Sequence, residues 1–338
     1  MWRVARARMI PSAPSLSPFD EADRERSRLV PAPFSGGPLP ESVFRCLRVP
    51  ASSANLGPGF DALGLALGIY LECRFRPSNR LLIRVSGRDA DSISTGEHNL
   101  IWQTALKVAS DVSLSMPPIE LEIENAIPLG KGLGSSAAAL TAGVVIADEM
   151  LGLDWPPQKV LDEAARIEGH PDNVAACVLG SMVASAVDAA GIAHAVRLDL
   201  HPRYAVAVVV PDFVLPTTEA RAVLPDTYSK ADTIFNVQRS ALLITALATG
   251  ATNAFPTALE DRLHQPYRAP LVPGLNEITQ LRAEGLLGCA LSGAGPSILV
   301  FYERGHDDVC ELVRNVFTAK GHASEIMWTE LAAGYQLT

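Results

Sequence analysis

The chain has 338 residues, 48% hydrophobic and 19% charged, which suits a folded protein with more than one hydrophobic core and leaves little room for extensive disorder. A formal net charge of -9, with no dense run of Lys or Arg, lacks the electrostatic footprint of a nucleic-acid binder and favours a small-molecule ligand. The five cysteines form no C-x-x-C pair, so neither a zinc ribbon nor a dithiol centre is indicated, and reduced thiols in the cytoplasm are the expectation.

Residues 1–43 read as an extension outside the fold, because Pro11, Pro14, Pro18, Pro31, Pro33, Pro38 and Pro40 break every periodic pattern. An over-long gene start or a transit segment are the other readings. Arg3, Arg6 and Arg8 with three serines fit a transit segment, and the acidic cluster at 20–25 counts against it. Order is expected from Phe44, with strands at 44–49, 65–75 and 81–85 and a helix at 99–111. Ile119, Leu121 and Ile123 alternate with Glu120, Glu122 and Glu124, as in a strand with one buried face.

An alanine-rich helix is predicted over 135–151, ending near Gly152, and another from Pro157 to Ile167. Residues 205–210 form an apolar strand before Pro211, taken as the start of a second domain, so that the division is 44–203 and 204–338. Helices at 233–248 and 275–284, strands at 286–291 and 297–302, and a helix from His306 follow. The uncharged stretch 240–259 carries Gly250, Asn253 and Pro256, which suits a buried helix and a loop and not a membrane span. Strands and helices without strict alternation point to the α+β class.

The strongest local signal is the run Pro128, Leu129, Gly130, Lys131, Gly132, Leu133, Gly134, Ser135, Ser136. Glycines at alternate positions let the backbone turn tightly and aim successive N–H groups into one concavity, which suits phosphate oxygens. The helix starting at the serines adds unpaired N–H donors and the positive end of its dipole. One serine hydroxyl can cap that helix while the other reaches a metal or phosphate. The run is not a P-loop, since no Gly-Lys-Ser/Thr closes it, nor a dinucleotide fingerprint, since Ser135 stands where the third glycine belongs. By itself it is also compatible with a flexible connection that binds nothing.

Two more segments carry polar groups among small residues. Residues 49–64, V-P-A-S-S-A-N-L-G-P-G-F-D-A-L-G, set Asn55 and Asp61 six apart across a glycine turn, so that amide and carboxylate can face one pocket. Residues 291–297, L-S-G-A-G-P-S, lie between two predicted strands, where glycine permits a close backbone approach.

In this order the three segments resemble the motifs of the GHMP kinases, the family of galactokinase, homoserine kinase, mevalonate kinase and phosphomevalonate kinase. The resemblance spans residues 44 to about 330. It implies a two-domain α+β kinase fold, with an N-terminal domain like that of ribosomal protein S5 and a ferredoxin-like C-terminal domain. ATP and Mg²⁺ are the implied cofactors. Within the family, S-S-A-N-L-G-P-G-F-D, E-G-H-P-D-N-V-A from Glu168, T-T-E-A-R from Thr217 and L-H-Q-P-Y-R from Leu263 are most similar to the homoserine kinases. The resemblance assigns Ser136 and Glu168 to Mg²⁺, the loop from Pro128 to Ser136 to the phosphates and Asn99 to the adenine side. It assigns Asn55, Asp61, Asn173, Arg221 and Arg268 to an L-homoserine substrate, and Asp172 with Asn173 to catalysis.

The chemistry is consistent with those assignments. Homoserine carries a carboxylate, an ammonium and a hydroxyl; Arg221 and Arg268 can fork onto the first, Asp61 can pair with the second, and Asp172 or Asn173 can orient the third. Whether Asp172 removes a proton or only orients the acceptor stays open, and His170 reads as a turn residue. Gly180-Ser181 departs from the family's usual Gly-Gly pair. The competing readings are a kinase of a sugar or mevalonate and a non-catalytic binder on the same fold. A homodimer is left open, and neither nucleic acid nor membrane is an expected partner.

Overall fold

The computed structural model describes residues 43–338, so the extension expected over residues 1–43 lies, all but Val43, outside the described residues. In chain order the elements are β1 (Arg45–Asn55), β2 (Gly59–Pro77), β3 (Leu82–Gly87), α1 (Leu100–Asp111), β4 (Ile119–Asn125), α2 (Ser135–Leu151), α3 (Pro157–Glu168) and α4 (Asp172–Leu179). There follow β5 (Met182–Val187), β6 (Ala193–Leu198), β7 (Tyr204–Pro211), α5 (Thr217–Ala222), α6 (Lys230–Thr249), α7 (Gln265–Arg268) and α8 (Leu275–Ile278). The last are β8 (Leu286–Leu291), β9 (Ile298–Glu303), α9 (Cys310–Ala319), β10 (Ser324–Thr329) and β11 (Gln336–Leu337).

Two sheets organise these elements. The larger has the order β11-β1-β2-β4-β3, with β5 also pairing β2 and β6 pairing β5. The smaller is the antiparallel sheet β10-β7-β9-β8. Strand β7 is apolar throughout because both of its faces are covered. Val206, Val208 and Val210 join the core shared with α2 and α6, whereas Ala207 and Val209 join a second core with Val313 and Phe317 of α9.

Several boundaries differ from expectation for identifiable reasons. Pro50 does not end β1, because a register shift between Pro50 and Ala51 removes the need for its missing N–H, and the strand runs on to Asn55. The helix expected over 275–284 stops at Ile278: Gln280 and Leu281 bond only three residues back, and the Arg282 guanidinium takes the carbonyls of Thr279 and Leu281. Strands β6, β10 and β11 and helices α4, α5 and α7 were not anticipated.

The chain end returns to the first sheet. Ser181 donates its N–H to Ala332 O at 2.7 Å, Tyr335 donates to Cys177 O at 2.8 Å, and β11 pairs with β1. A Cβ on Gly180 would lie 2.2 Å from Gly334 N, so glycine is needed there. Ser181 holds a left-handed φ of 53° and its hydroxyl donates to Leu198 O, which shows how a serine is accommodated in the departing pair. Among the described residues no helix is long and apolar enough to cross a membrane.

Candidate active site

The glycine loop links β4 to α2. Gly130, Gly132 and Gly134 have φ of 65°, 74° and 66°, alternating with residues of negative φ, so the backbone N–H groups curve around a concavity. The loop is tied on several sides. Leu129 N–H donates to Asp89 Oδ2 at 2.9 Å, Ser292 Oγ donates to Gly132 O at 2.7 Å, and Ser52 N–H donates to Leu133 O at 3.1 Å. Segment 291–297 is thus the buttress of the loop, and the two approach closely: a Cβ on Gly132 would stand 2.2 Å from Ser292 O, and one on Gly293 would stand 3.2 Å from Gly132 O.

Helix α2 presents Ser136 in its first turn, and Ser136 Oγ donates to Glu168 Oε2 at 3.1 Å. Burial drives the Glu168 carboxyl above its ordinary pKa, opposed by His170 and by the Ser136 hydroxyl. Among the described residues no group of three His, Cys, Asp or Glu gathers as a metal cage. A single carboxylate with a hydroxyl fits Mg²⁺, which keeps waters and takes most of its remaining ligands from phosphates.

Three residues beyond Gly169, which turns the chain out of α3, α4 begins with Asp172 and Asn173. Asp172 Oδ1 accepts from Asn173 N–H at 2.7 Å and lies 2.8 Å from His170 Nδ1. Ser52 Oγ donates to Asn173 Oδ1 at 2.9 Å, which fixes that amide with its NH₂ turned from the serine. Gly64 makes room for this corner, since a Cβ there would lie 2.2 Å from Asp172 O.

The turn between β1 and β2 carries two more polar groups. Asn55 and Asp61 both adopt left-handed φ, at 71° and 52°, and Asn55 Oδ1 accepts the Asp61 N–H at 3.0 Å. Asn55 Nδ2 donates to Gly293 O at 2.8 Å. Arg221, on α5, pairs with Asp61 at 2.9 Å. Arg268, at the end of α7, is 2% exposed and bonds to Ala220 O, to His264 Nδ1 and to Gly293 O through Nε and Nη1, leaving Nη2 as its remaining donor group. Burial, and secondarily Arg221, lowers its pKa to about 10, so it stays charged at neutral pH. Both guanidinium carbons lie within 6 Å of the Phe60 ring, at 5.8 Å and 5.4 Å.

One cavity of about 250 Å³ is lined by Asn55, Asp61, Gly130, Gly132, Leu133, Gly134, Ser135, Ser136, Glu168, Asp172, Asn173, Arg221 and Arg268. A neighbouring cavity of about 350 Å³ is mostly apolar, is lined by Asn99, Leu129, Ile101 and Ile123, and shares Ser135 and Ser136 with the first. Asn99 caps α1, its Oδ1 accepting from Ile101 N–H at 3.0 Å.

Pro128 and Lys131 line neither cavity. Lys131 turns its ammonium onto Pro211 O and Phe213 O. Sequence reasoning missed Thr217, His170 and Gly293, which line the first cavity, and Ser52, which bonds Asn173. His170 in G-H-P-D-N was the available signal, hidden by its reading as a turn.

Residues 99–181 match the GHMP kinases N terminal domain and residues 243–318 the GHMP kinases C terminal. The homoserine kinase of Solibacter usitatus is 68% identical over 293 residues, 86% of this chain and 96% of that protein. The chain belongs to the homoserine kinase family. The homoserine kinase of Deinococcus radiodurans is 44% identical over 83% of this chain and 92% of its own length. A crystal structure of homoserine kinase from Cytophaga hutchinsonii superposes with a TM-score of 0.77 at 25% identity, covering 90% of this chain and all of that one. The expected α+β GHMP kinase fold and the use of ATP follow from membership of the family.

Proposed function

We propose that this cleft carries out the homoserine kinase reaction with Glu168 and Ser136 at Mg²⁺, the glycine loop at the phosphates, and Arg221 and Arg268 at the amino-acid carboxylate. The observation that carries this reading is a single cavity joining a backbone anion nest to two arginines and a carboxylate. Such a cavity suits a phosphate donor facing an acceptor that bears both an anionic and a cationic group. The apolar cavity beside Asn99 has the character needed for a flat heterocycle, which supports an adenine there with the phosphates at Ser135 and Ser136, common to both cavities.

Bound Mg²⁺ supplies charge neutralisation across the transferred phosphoryl group. The chain's own groups do the rest. The N–H donors of the loop and of α2 hold the phosphates by a fixed dipole, which requires no reorganisation as charge shifts. Arg268 Nη2 and the outer edge of Arg221 grip the acceptor carboxylate, and Asp61 receives its ammonium. That grip aims the side-chain hydroxyl toward Asn173, at the start of α4. Asp172 Oδ1 is already committed to the Asn173 N–H and to His170, which favours an orienting role over proton removal. Phosphoryl transfer passes through a loose transition state, so positioning and charge suffice for most of the acceleration.

The five cysteines are all free, which agrees with a cytoplasmic setting. A coupled ADP-release assay with homoserine, mevalonate, galactose and threonine tests the substrate. Turnover with homoserine far above the other three supports the reading; turnover with only mevalonate or galactose overturns it.

A further inference from the structure

One side chain fastens the glycine loop to the segment that carries Arg221. Lys131 Nζ donates to Pro211 O at 2.8 Å and to Phe213 O at 2.7 Å, at the end of β7. Its neighbour Gly130 accepts Leu215 N–H at 3.2 Å, so two consecutive loop residues hold the same connection. That connection, 211–216, leads directly into α5 and Arg221. The bonds are charge-assisted, roughly twice as strong as neutral ones. Burial depresses the Lys131 pKa while Asp212 and Asp89 oppose it, as for an ammonium held at a partly dry junction.

We propose that Lys131 is a positioning residue that couples the two halves of the cleft, so that nucleotide on the glycine loop and amino-acid carboxylate on Arg221 strengthen each other's binding. The inference rests on the reading that these two places hold ATP and the acceptor. With the sides stapled by Lys131, the ordering brought about by the first ligand is already in place for the second, and linkage makes the gain equal in both directions.

Titration calorimetry on the full chain tests this, using a non-hydrolysable ATP analogue with Mg²⁺ and L-homoserine, each alone and each with the other saturating. In the wild type the mutual enhancement should fall in the range typical of coupled sites, about 5-fold to 150-fold. Lys131→Met should cut the enhancement by about 5-fold or more, change each ligand's affinity alone by less than about 3-fold, and be largely rescued by Lys131→Arg. If Lys131→Met does not fold, Lys131→Ala, which removes the donor and leaves room for water at the Pro211 and Phe213 carbonyls, serves in its place, and an undiminished enhancement in it counts against the proposal. An unchanged enhancement in Lys131→Met overturns the coupling role, as does a wild type with none. A loss of nucleotide affinity without homoserine, at unchanged enhancement, overturns it too and returns the ammonium to the phosphates. Failure of the wild type to bind one of the ligands at all would instead overturn the functional reading beneath it.

Discussion

Ser136 Oγ and Glu168 Oε2 stand 3.1 Å apart, which brings the first turn of α2 and the last residue of α3 together beside the glycine loop. On the reading proposed above, this pair shares Mg²⁺ with phosphates held on the loop. Glu168→Gln keeps the shape and removes the charge, and should lower kcat by about 100-fold or more, the equivalent of roughly 3 kcal/mol of charge stabilisation. Ser136→Ala should raise the Mg²⁺ concentration needed for half-maximal rate, with a smaller effect from Ser135→Ala. Rates measured across a Mg²⁺ titration check both; an unchanged Mg²⁺ dependence in Glu168→Gln would remove that carboxylate from the metal.

The loop's glycines should differ sharply in tolerance. Gly130 and Gly132 share positive φ, so alanine costs about 1–2 kcal/mol of backbone strain at either. A Cβ at Gly130 would meet only Val214 at 3.5 Å, whereas one at Gly132 would stand 2.2 Å from Ser292 O. Gly130→Ala should therefore retain most activity, while Gly132→Ala should lose nucleotide binding and melt earlier. Parallel calorimetry and nucleotide titration decide the matter, and equal effects would mean that the buttress from 291–297 does not set the loop's shape.

Much of this site was legible because its signals are local. Three alternating glycines before two serines specify a left-handed, N–H-lined turn and a helix start, and both are found at Gly130–Ser136. The alternation of Ile119, Leu121 and Ile123 with glutamates likewise reports a strand with one buried face. What escaped depends on partners distant in sequence. Lys131 reads as a phosphate contact until Pro211 and Phe213, some eighty residues on, are folded beside it. Strand β10 has no strong period of its own and is set by pairing with β7, while His170 belongs to the cavity only because Asp172 starts a helix next to it.

The two arginines should separate by burial. Arg268 is enclosed, and Arg268→Leu should raise the KM for homoserine by roughly 30-fold to several thousand-fold, about 2–5 kcal/mol, with little change in the KM for ATP. Arg221 is partly solvated and shared with Asp61, so Arg221→Leu should cost less. Lys at position 268 should rescue only in part, since an ammonium lacks the planar fork. Steady-state kinetics with each substrate varied in turn give the comparison, and wild-type KM values for homoserine in both Leu variants would dissolve the clamp.

Stability should fall as pH rises through the range in which Asp148 ionises. Burial pushes this carboxyl up to about 6, against a smaller opposing contribution from the Trp155 N–H that it accepts. Its folded pKa lies above the unfolded value of about 4, so its contribution to stability is full below pH 4 and is lost as pH rises through 6. Asp148→Asn keeps an acceptor for Trp155 and removes the charge. The variant should melt higher than wild type at pH 8 by about 2 °C, after allowance for solvent screening, and should show no advantage at pH 4. Thermal melts at the two pH values test this, and a constant difference between them would contradict the assignment.

If the arginines hold the carboxylate, the side-chain hydroxyl is the group left to meet the γ-phosphate, and the position of the phosphate on the product tests that arrangement most directly. Phosphorus NMR of a reaction with ATP, Mg²⁺ and L-homoserine should show one phosphomonoester formed per ADP, coupled to the methylene protons of the side chain and inert to hydroxylamine. A hydroxylamine-trapped acyl phosphate, or ADP accompanied only by inorganic phosphate, would contradict it.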